Sequence, residues 1–167
     1  MVSSLRVDAF IGVGSNLHHP ARQVEAAFDR IGDLPSSTIA STSALYRSSP
    51  LGGIEQPDYI NAVAHIVTAL PARDLLSGLL ELEKSQGRER DGSRWGPRVI
   101  DLDLLVFGNE TISEPGLQVP HPGIAERNFV LLPLREIAPD LVIPGLGALS
   151  AITVNSEEPR IERIARI

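Results

Sequence analysis

The residue types best suited to chemistry concentrate in one stretch, Arg94-Trp95-Gly96-Pro97-Arg98-Val99-Ile100-Asp101-Leu102-Asp103-Leu104-Leu105. A basic, aromatic loop runs there straight into a strand pattern carrying two carboxylates. Alternation along a strand sends Ile100, Leu102, Leu104 and Val106 to one face and Asp101 and Asp103 to the other. Neighbouring side chains on one strand face lie roughly 6.5–7 Å apart. Carboxylates that close repel, and a low-dielectric setting raises the pKa of at least one unless a cation sits between them. A divalent metal relieves the repulsion, and Mg²⁺ favours one or two carboxylates completed by water and substrate phosphate. The arginines around the loop (Arg88, Arg90, Arg94 and Arg98) suit phosphate oxygens, which a guanidinium grips in a bidentate fork. A metal-bearing strand beside an arginine loop points to phosphoryl transfer. The bland alternative is a solvated strand face; against it, Asp is disfavoured in strands, and Leu105 and Phe107 on the same face argue for partial burial.

Other candidates are less specific by themselves. Trp95, the single tryptophan, lies in a Gly/Pro-bounded loop and is either a core plug or a lid that stacks on a planar ligand. Gly14-Ser15-Asn16 reads as a turn followed by a helix N-cap. It is not a glycine-rich phosphate loop, since neither Gly-x-x-x-x-Gly-Lys-Ser/Thr nor Gly-x-Gly-x-x-Gly occurs in the chain. A nucleotide enzyme with this sequence therefore holds its phosphates by arginine and metal. His121, between Pro120 and Pro122, is fixed in a constrained loop, either structurally or for function. His18, His19 and His65 read as inert, and no two histidines have zinc-ligand spacing. Glu83, near the end of a Leu-rich helix pattern, reads first as an exposed helix charge, and Tyr59 and Phe129 as core aromatics.

The elements that must position these residues follow from periodicity. Val7 to Val13 reads as a strand, and Ala21 to Ile31 as a helix with Val24, Ala27, Phe28 and Ile31 on one face and Gly32 at its end. Thr38 to Tyr46 is a β-branched strand, Ser48 to Asp58 a Gly/Pro-rich loop, and Tyr59 to Ala69 an alternating strand. Pro71 opens a Leu-rich helix that stops at Gly87. The Asp strand follows, then a hairpin turn at Phe107-Gly108-Asn109-Glu110 into Thr111-Ile112. Residues 125–138 read as helical despite Pro133, and Ile161, Ile164 and Ile167 as a short amphipathic turn or a frayed end. Strand, helix, strand, strand, helix, strand is the ferredoxin-like order: an α+β fold with an antiparallel sheet flanked by helices in three α/β/α layers.

Composition bounds the function. A chain of 167 residues fits a single domain, 1–167, and its 43% hydrophobic content excludes wholesale disorder. Formal charge is −6, yet residues 88–98 carry four Arg against Glu89 and Asp91, a local +2. A small basic site on an acidic body suits a small anionic ligand rather than nucleic acid, which demands a broad basic face. There is no cysteine, which excludes thiolate chemistry. No apolar run approaches the ~20 residues of a spanning helix and the first ten residues lack a signal pattern, so no membrane association and a cytoplasmic monomer are expected.

Taken in order, the motifs resemble a known family: 6-hydroxymethyl-7,8-dihydropterin pyrophosphokinase. They stand as Gly14-Ser15-Asn16-Leu17, Tyr46-Arg47-Ser48, Gln56-Pro57-Asp58-Tyr59-Ile60-Asn61-Ala62, Gln86-Gly87-Arg88, the Arg94–Asp103 signature, Val119-Pro120-His121 and Arg127-Asn128-Phe129-Val130-Leu131. The resemblance covers nearly the whole chain and is weakest after Leu146. It implies transfer of pyrophosphate from ATP to the pterin hydroxymethyl group, with two Mg²⁺ ions at Asp101 and Asp103. It implies further that Tyr59 and Phe129 sandwich the pterin ring, while Asn61 and backbone groups near Ser48 and Leu51 read its edge. Glu83, Arg88, Arg98, His121 and Arg127 match nucleotide or phosphate contacts, and Arg90 and Trp95 match a mobile catalytic loop. Arg88 and Arg98 supply the cationic field for catalysis, and Asp101 is the candidate acceptor of the hydroxyl proton. Pro122 and Gly116 depart from the pattern, standing where an aromatic and a basic residue are often found. Two rival classes remain on the residues alone: a metal-dependent phosphohydrolase, and a non-catalytic ferredoxin-like binding module.

Overall fold

The computed structural model describes residues 5–50, 55–87, 99–155, 157 and 159–164. Leu51, Arg88, Arg90, Arg94, Trp95 and Arg98 lie outside the described residues. So do Ile167, residues 51–54 of the Gly/Pro-rich loop and residues 88–98 with the arginines.

Chain order runs β1 (Val7–Ser15), α1 (Pro20–Gly32), β2 (Ser37–Thr42), β3 (Leu45–Ser48), β4 (Tyr59–Thr68), α2 (Ala72–Ser85) and β5 (Asp101–Phe107). Then come β6 (Ile112–Glu114), β7 (Leu117–Val119), a 3₁₀ turn at Ile124–Glu126, α3 (Asn128–Ile137), β8 (Val142–Ile143), β9 (Gly147–Ala148) and β10 (Ile161–Ile164). The main sheet has the order β10-β3-β4-β1-β5, with β2 pairing β4 beside β3, and every pairing is antiparallel. Because β4 lies between β3 and β1, and β1 between β4 and β5, each helical crossing skips one strand. Two such crossings interlock, and strands far apart in sequence become neighbours at the centre.

Amphipathic periodicity decides which faces are buried. Helix α1 buries Val24, Ala27, Phe28 and Ile31, and α2 buries Ala72, Leu75 and Leu79. Spacings of three and four put each set on one stripe. These stripes meet Ala9, Ile11, Val13, Leu102 and Leu104 from the sheet and Ile100 just before β5. Alternate sheet residues, Phe10, Val63 and Leu105, join a second cluster with Val130, Leu131 and Leu134 of α3. Side chains of opposite parity leave opposite faces of a strand, so α3 covers the face that α1 and α2 do not.

Several sequence expectations are corrected here. The single strand expected over Thr38–Tyr46 is two strands, broken at Ser43-Ala44. Ser43 takes up the Val63 main chain in both directions: its N–H donates to the Val63 oxygen at 2.9 Å, and its Oγ accepts from the Val63 N–H at 2.9 Å. This leaves the Ala44 N–H turned away from the ladder. A register shift between Phe10 and Ile11 moves Val106 to the α3 cluster and returns Phe107 to the other, the reverse of simple alternation. The turn after Phe107 forms, with Glu110 N–H donating to the Phe107 oxygen at 3.1 Å, but β6 pairs with β7 rather than with β5. Asn16 does not cap α1, whose cap residue is His19 with Pro20 following. Residues 125–138 divide into the 3₁₀ turn and α3, with Pro133 inside the helix. Gly87 ends α2 as expected, at φ +105°.

Residues 161–164 are neither a helical turn nor a frayed end but a strand, β10, paired with β3 from Ile161↔Ser48 to Ile164↔Leu45. The buried Asn128 anchors the approach to it, donating through Nδ2 to the Asn155 and Pro159 oxygens, both at 2.6 Å. Asn128→Ala leaves two carbonyls without that donor, a loss of about 1–3 kcal/mol for a buried site. The expected outcome is a lower urea midpoint and faster amide exchange across Ile161–Ile164; unchanged exchange there refutes the anchoring role.

Candidate active site

The site grows from one row across the sheet. Gly14 of β1 pairs with Asn61 of β4 on one side and with Asp101 of β5 on the other, and Asn61 pairs in turn with Tyr46 of β3. Residues directly opposite in antiparallel strands point to the same face. Asn61, Gly14 and Asp101 therefore share the α3 face, and Gly12 with Asp103 forms the next row. Ser48 pairs with Tyr59 in the row beyond Asn61.

Glycine at the centre is a requirement of space. A Cβ on Gly14 would stand 2.8 Å from Asn61 Oδ1 and 3.8 Å from the Tyr59 ring. The floor between the amide and the carboxylates is thus bare main chain. Asn61 is 8% exposed, and its Nδ2 donates to Oγ of the 2%-exposed Ser48 at 2.9 Å. That bond fixes the amide's orientation and sets Oδ1 over Gly14. At the end of β1, Asn16 Nδ2 donates to Gln56 Oε1 and to the Pro57 oxygen, each at 2.9 Å. This pins the segment leading into Tyr59. The motif holding Asn16 was visible in the sequence; its role was masked because Asn before a helix usually caps it.

Asp101 and Asp103 stand on one face of β5, both partly exposed. Two partly exposed hard oxygen donors on one strand face fit Mg²⁺, which dehydrates reluctantly and keeps water and phosphate ligands. Among the described residues no group of three or more His, Cys, Asp and Glu gathers as a closed metal cage. Glu83 is placed differently from its first reading. It follows Leu75 and Leu79 at a spacing of four, lies on the buried stripe of α2, and is 2% exposed. Its Oε2 accepts the Leu102 N–H at 2.9 Å, gripping β5 between the two aspartates from behind. The four-residue spacing was the available signal.

His121 follows the cis Val119-Pro120 bond. Its N–H donates to the Leu105 oxygen at 2.8 Å, docking the loop on β5, and its Nδ1 accepts the Gly123 N–H at 3.0 Å. An accepting Nδ1 leaves the proton on Nε2 in the neutral ring. Burial lowers the His121 pKa from the ordinary 6.5, the Arg127 guanidinium lowers it further, and Asp101 opposes both. Arg127 passes so close to Gly123 that a Cβ there would meet its Nε at 2.7 Å, and its guanidinium carbon lies 6.0 Å from the centre of the Phe129 ring. Of the residues singled out in the sequence, the structure gathers Ser48, Tyr59, Asn61, Asp101 and Asp103 on neighbouring strands of one face. His121, Arg127 and Phe129 group along the segment crossing that face, and Glu83 supports β5 from the other side.

Burial and Arg127 thus favour the neutral form of the His121 ring. In an NMR titration its ring carbons should report a midpoint below 6.5. Arg127→Ala removes a repelling cation and should move the midpoint up; Asp101→Asn removes an attracting anion and should move it down. Shifts of the opposite sign contradict this electrostatic arrangement.

Comparisons with known proteins give the family. The family model of 7,8-dihydro-6-hydroxymethylpterin-pyrophosphokinase (HPPK) matches residues 10–139. The chain is 47% identical to the 2-amino-4-hydroxy-6-hydroxymethyldihydropteridine pyrophosphokinase of Haemophilus influenzae over 138 residues, 83% of this chain and 86% of that protein. Identity to the Pseudomonas aeruginosa protein of the same name is 46% over 155 residues, 93% of this chain and 95% of the relative. A crystal structure of a Plasmodium falciparum HPPK-DHPS with pterin and p-hydroxybenzoate superimposes with a TM-score of 0.74 at 14% identity, over 97% of this chain. The chain spans 48% of that longer protein, and at such low identity the likeness concerns the fold alone. By sequence match and by the extent of its relatives covered, the chain belongs to the 7,8-dihydro-6-hydroxymethylpterin-pyrophosphokinase family.

Proposed function

We propose that this chain carries out its family's reaction on the α3 face of the sheet, with the pterin over Gly14 and the triphosphate beyond Asp101 and Asp103. The reaction moves pyrophosphate from ATP to the hydroxymethyl oxygen of 6-hydroxymethyl-7,8-dihydropterin and leaves AMP, a step of folate biosynthesis. One observation carries the reading: a fixed amide (Asn61, held by Ser48) and a carboxylate (Asp101) flank the same glycine. The first suits the hydrogen-bonding edge of a flat heterocycle, the second the charged centre of a phosphoryl transfer. The ferredoxin-like, three-layer description and a single domain over 1–167 belong to the same reading. The interlocked crossings and the clusters on both sheet faces support them.

Each residue's task follows from its chemistry. Tyr59 and Phe129 offer aromatic faces, and a planar ring gains from lying between two of them. Asn61 and Ser48, with main chain near Leu51, read the polar edge that distinguishes a pterin from an apolar ring. Asp101 and Asp103 would hold two Mg²⁺ ions, whose charge would offset that of the phosphates and acidify the attacking hydroxyl. Asp101, nearest to the Asn61 side by register, accepts the hydroxyl proton. The attack needs in-line placement and charge neutralisation more than a strong base. His121 and Arg127 sit where a nucleotide crossing this face meets them, the neutral imidazole as a donor through Nε2 and the guanidinium as a phosphate fork. Glu83 keeps the aspartate strand in place from behind, a supporting role alongside the nucleotide contact that the resemblance implies. Arg88, Arg90, Arg98 and Trp95 complete the reading as the phosphate-side loop.

Incubation with MgATP, with and without hydroxymethyl-dihydropterin, tests the reading. AMP should appear only when the pterin is present. Phosphate release without pterin would point to a hydrolase instead, and no turnover to a binding module. Asp103→Ala should abolish AMP formation while leaving the circular dichroism spectrum unchanged; retained activity defeats the metal assignment.

Gly14→Ala probes the floor. Its methyl group, 2.8 Å from Asn61 Oδ1, must displace the amide or the ring above it. Pterin KM should rise at least about tenfold, as expected when one buried polar contact is lost, with ATP KM little changed. Equal loss toward both substrates contradicts a pterin site over Gly14.

A further inference from the structure

Helix α3 carries Phe129 near its start, so the helix's seat on the sheet sets where that ring stands. Polar bonds hold it at several points. Asn128 donates to the Asn155 and Pro159 oxygens, and Arg135 Nη2 donates to the Leu149 oxygen at 3.0 Å and the Ile152 oxygen at 2.5 Å. Both tie α3 to the carboxy-terminal segment. Glu136 instead ties it to the sheet. Its Oε1 accepts the Tyr46 hydroxyl at 2.7 Å, and the Ala44 N–H is shared between Oε2 at 3.0 Å and Oε1 at 3.2 Å. Ala44 is the residue whose N–H the strand break releases. Tyr46 is the β3 neighbour of Asn61 in the row that runs on to Gly14 and Asp101.

Phe129 and Glu136 are seven residues apart, about two turns and 10.5 Å of rise, and so lie nearly on one line along the helix. One end of that line presents a ring to the ligand face; the other grips the strand row that carries Asn61. Tyr59, two residues before Asn61, lies on the same face of β4. Bonds to an ionised acceptor are shorter and more directional than neutral ones, which suits them to fixing a helix against sliding.

We propose that Glu136 is a positioning residue for the pterin site: by clamping α3 to Ala44 and Tyr46 it sets the gap between Phe129 and Tyr59. The inference rests on the reading of Tyr59 and Phe129 as the pterin sandwich. Removing the clamp loosens the gap without touching substrate, so pterin affinity falls while the triphosphate side keeps its geometry.

Steady-state kinetics in both substrates, with direct pterin binding, test this on Glu136→Ala, Glu136→Gln, Tyr46→Phe and Phe129→Ala. Glu136→Ala should raise pterin KM and Kd about tenfold and Tyr46→Phe about threefold, the scale of one or part of one charge-assisted bond. ATP KM and kcat should stay within about twofold if only the ring gap changes. Glu136→Gln should restore most of the affinity, because its amide oxygen still accepts from Ala44 and its NH₂ can donate to the Tyr46 oxygen. A role confined to stability would instead lower the melting temperature and the active fraction at unchanged pterin KM, and that result overturns the proposal. Should Glu136→Ala fail to fold, Tyr46→Phe decides by the same criterion. Phe129→Ala separates the two levels. If it leaves pterin binding intact, the sandwich itself is wrong; if it weakens binding and neither Glu136→Ala nor Tyr46→Phe does, only the clamp is wrong.

Discussion

The register of three adjacent strands, β4, β1 and β5, is the constraint on which the rest of the molecule depends. Gly14 faces Asn61 across one ladder and Asp101 across the other. With strands spaced roughly 4.8 Å apart, an amide and a carboxylate are thereby held within about 10 Å of each other on one face. A slip of one residue would turn Asn61 or Asp101 into the opposite core and bring apolar side chains to the surface. The same packing that buries Ile11, Val13, Ala62 and Leu102 therefore fixes the site. Stability and the candidate site depend on one alignment.

Local irregularities protect that alignment. The shift after Phe10 lets the far end of β5 serve a different core cluster while residues 101–104 stay in phase with β1. The break at Ser43-Ala44 lets β2 and β3 share one edge of β4, and Ser43 takes over the bonds a continuous strand would have made. Glu83 fixes β5 from the other side of the sheet. A carboxylate in an apolar layer is costly unless bonded; spent on the Leu102 N–H, it steadies the strand between Asp101 and Asp103. Asn128 does comparable work for the tail, which reaches the outer edge of β3 and pairs with it.

Much of this was legible in the sequence. Val24, Ala27, Phe28 and Ile31 announced α1, the alternation of Tyr59–Ala69 announced β4, and the Asp-Leu-Asp pattern announced β5. What escaped depends on tertiary partners. Thr38–Tyr46 is uniformly compatible with a strand, so nothing local marks a break that Val63 makes possible. Asn16 has the chemistry of a cap and is used as a pin by a segment 40 residues away. Glu83 sat on the periodic stripe, but a charged residue near a helix end is ordinarily exposed. Ile161–Ile164 is short and half polar, and only the waiting edge of β3 makes it a strand. Glu136 meets Tyr46 across 90 residues, a distance no local pattern spans.

The bare floor at Gly14 bears on how readily this site can escape inhibition. A compound resting there touches main chain, and main chain does not mutate. The obvious route to eviction, adding a side chain at that position, drives an atom into the Asn61 amide, the group proposed to read the pterin edge. On the proposed function, escape by that route would disable the enzyme along with the inhibitor. Selection would have to act at the rim instead, where each change removes only a fraction of the inhibitor's hold.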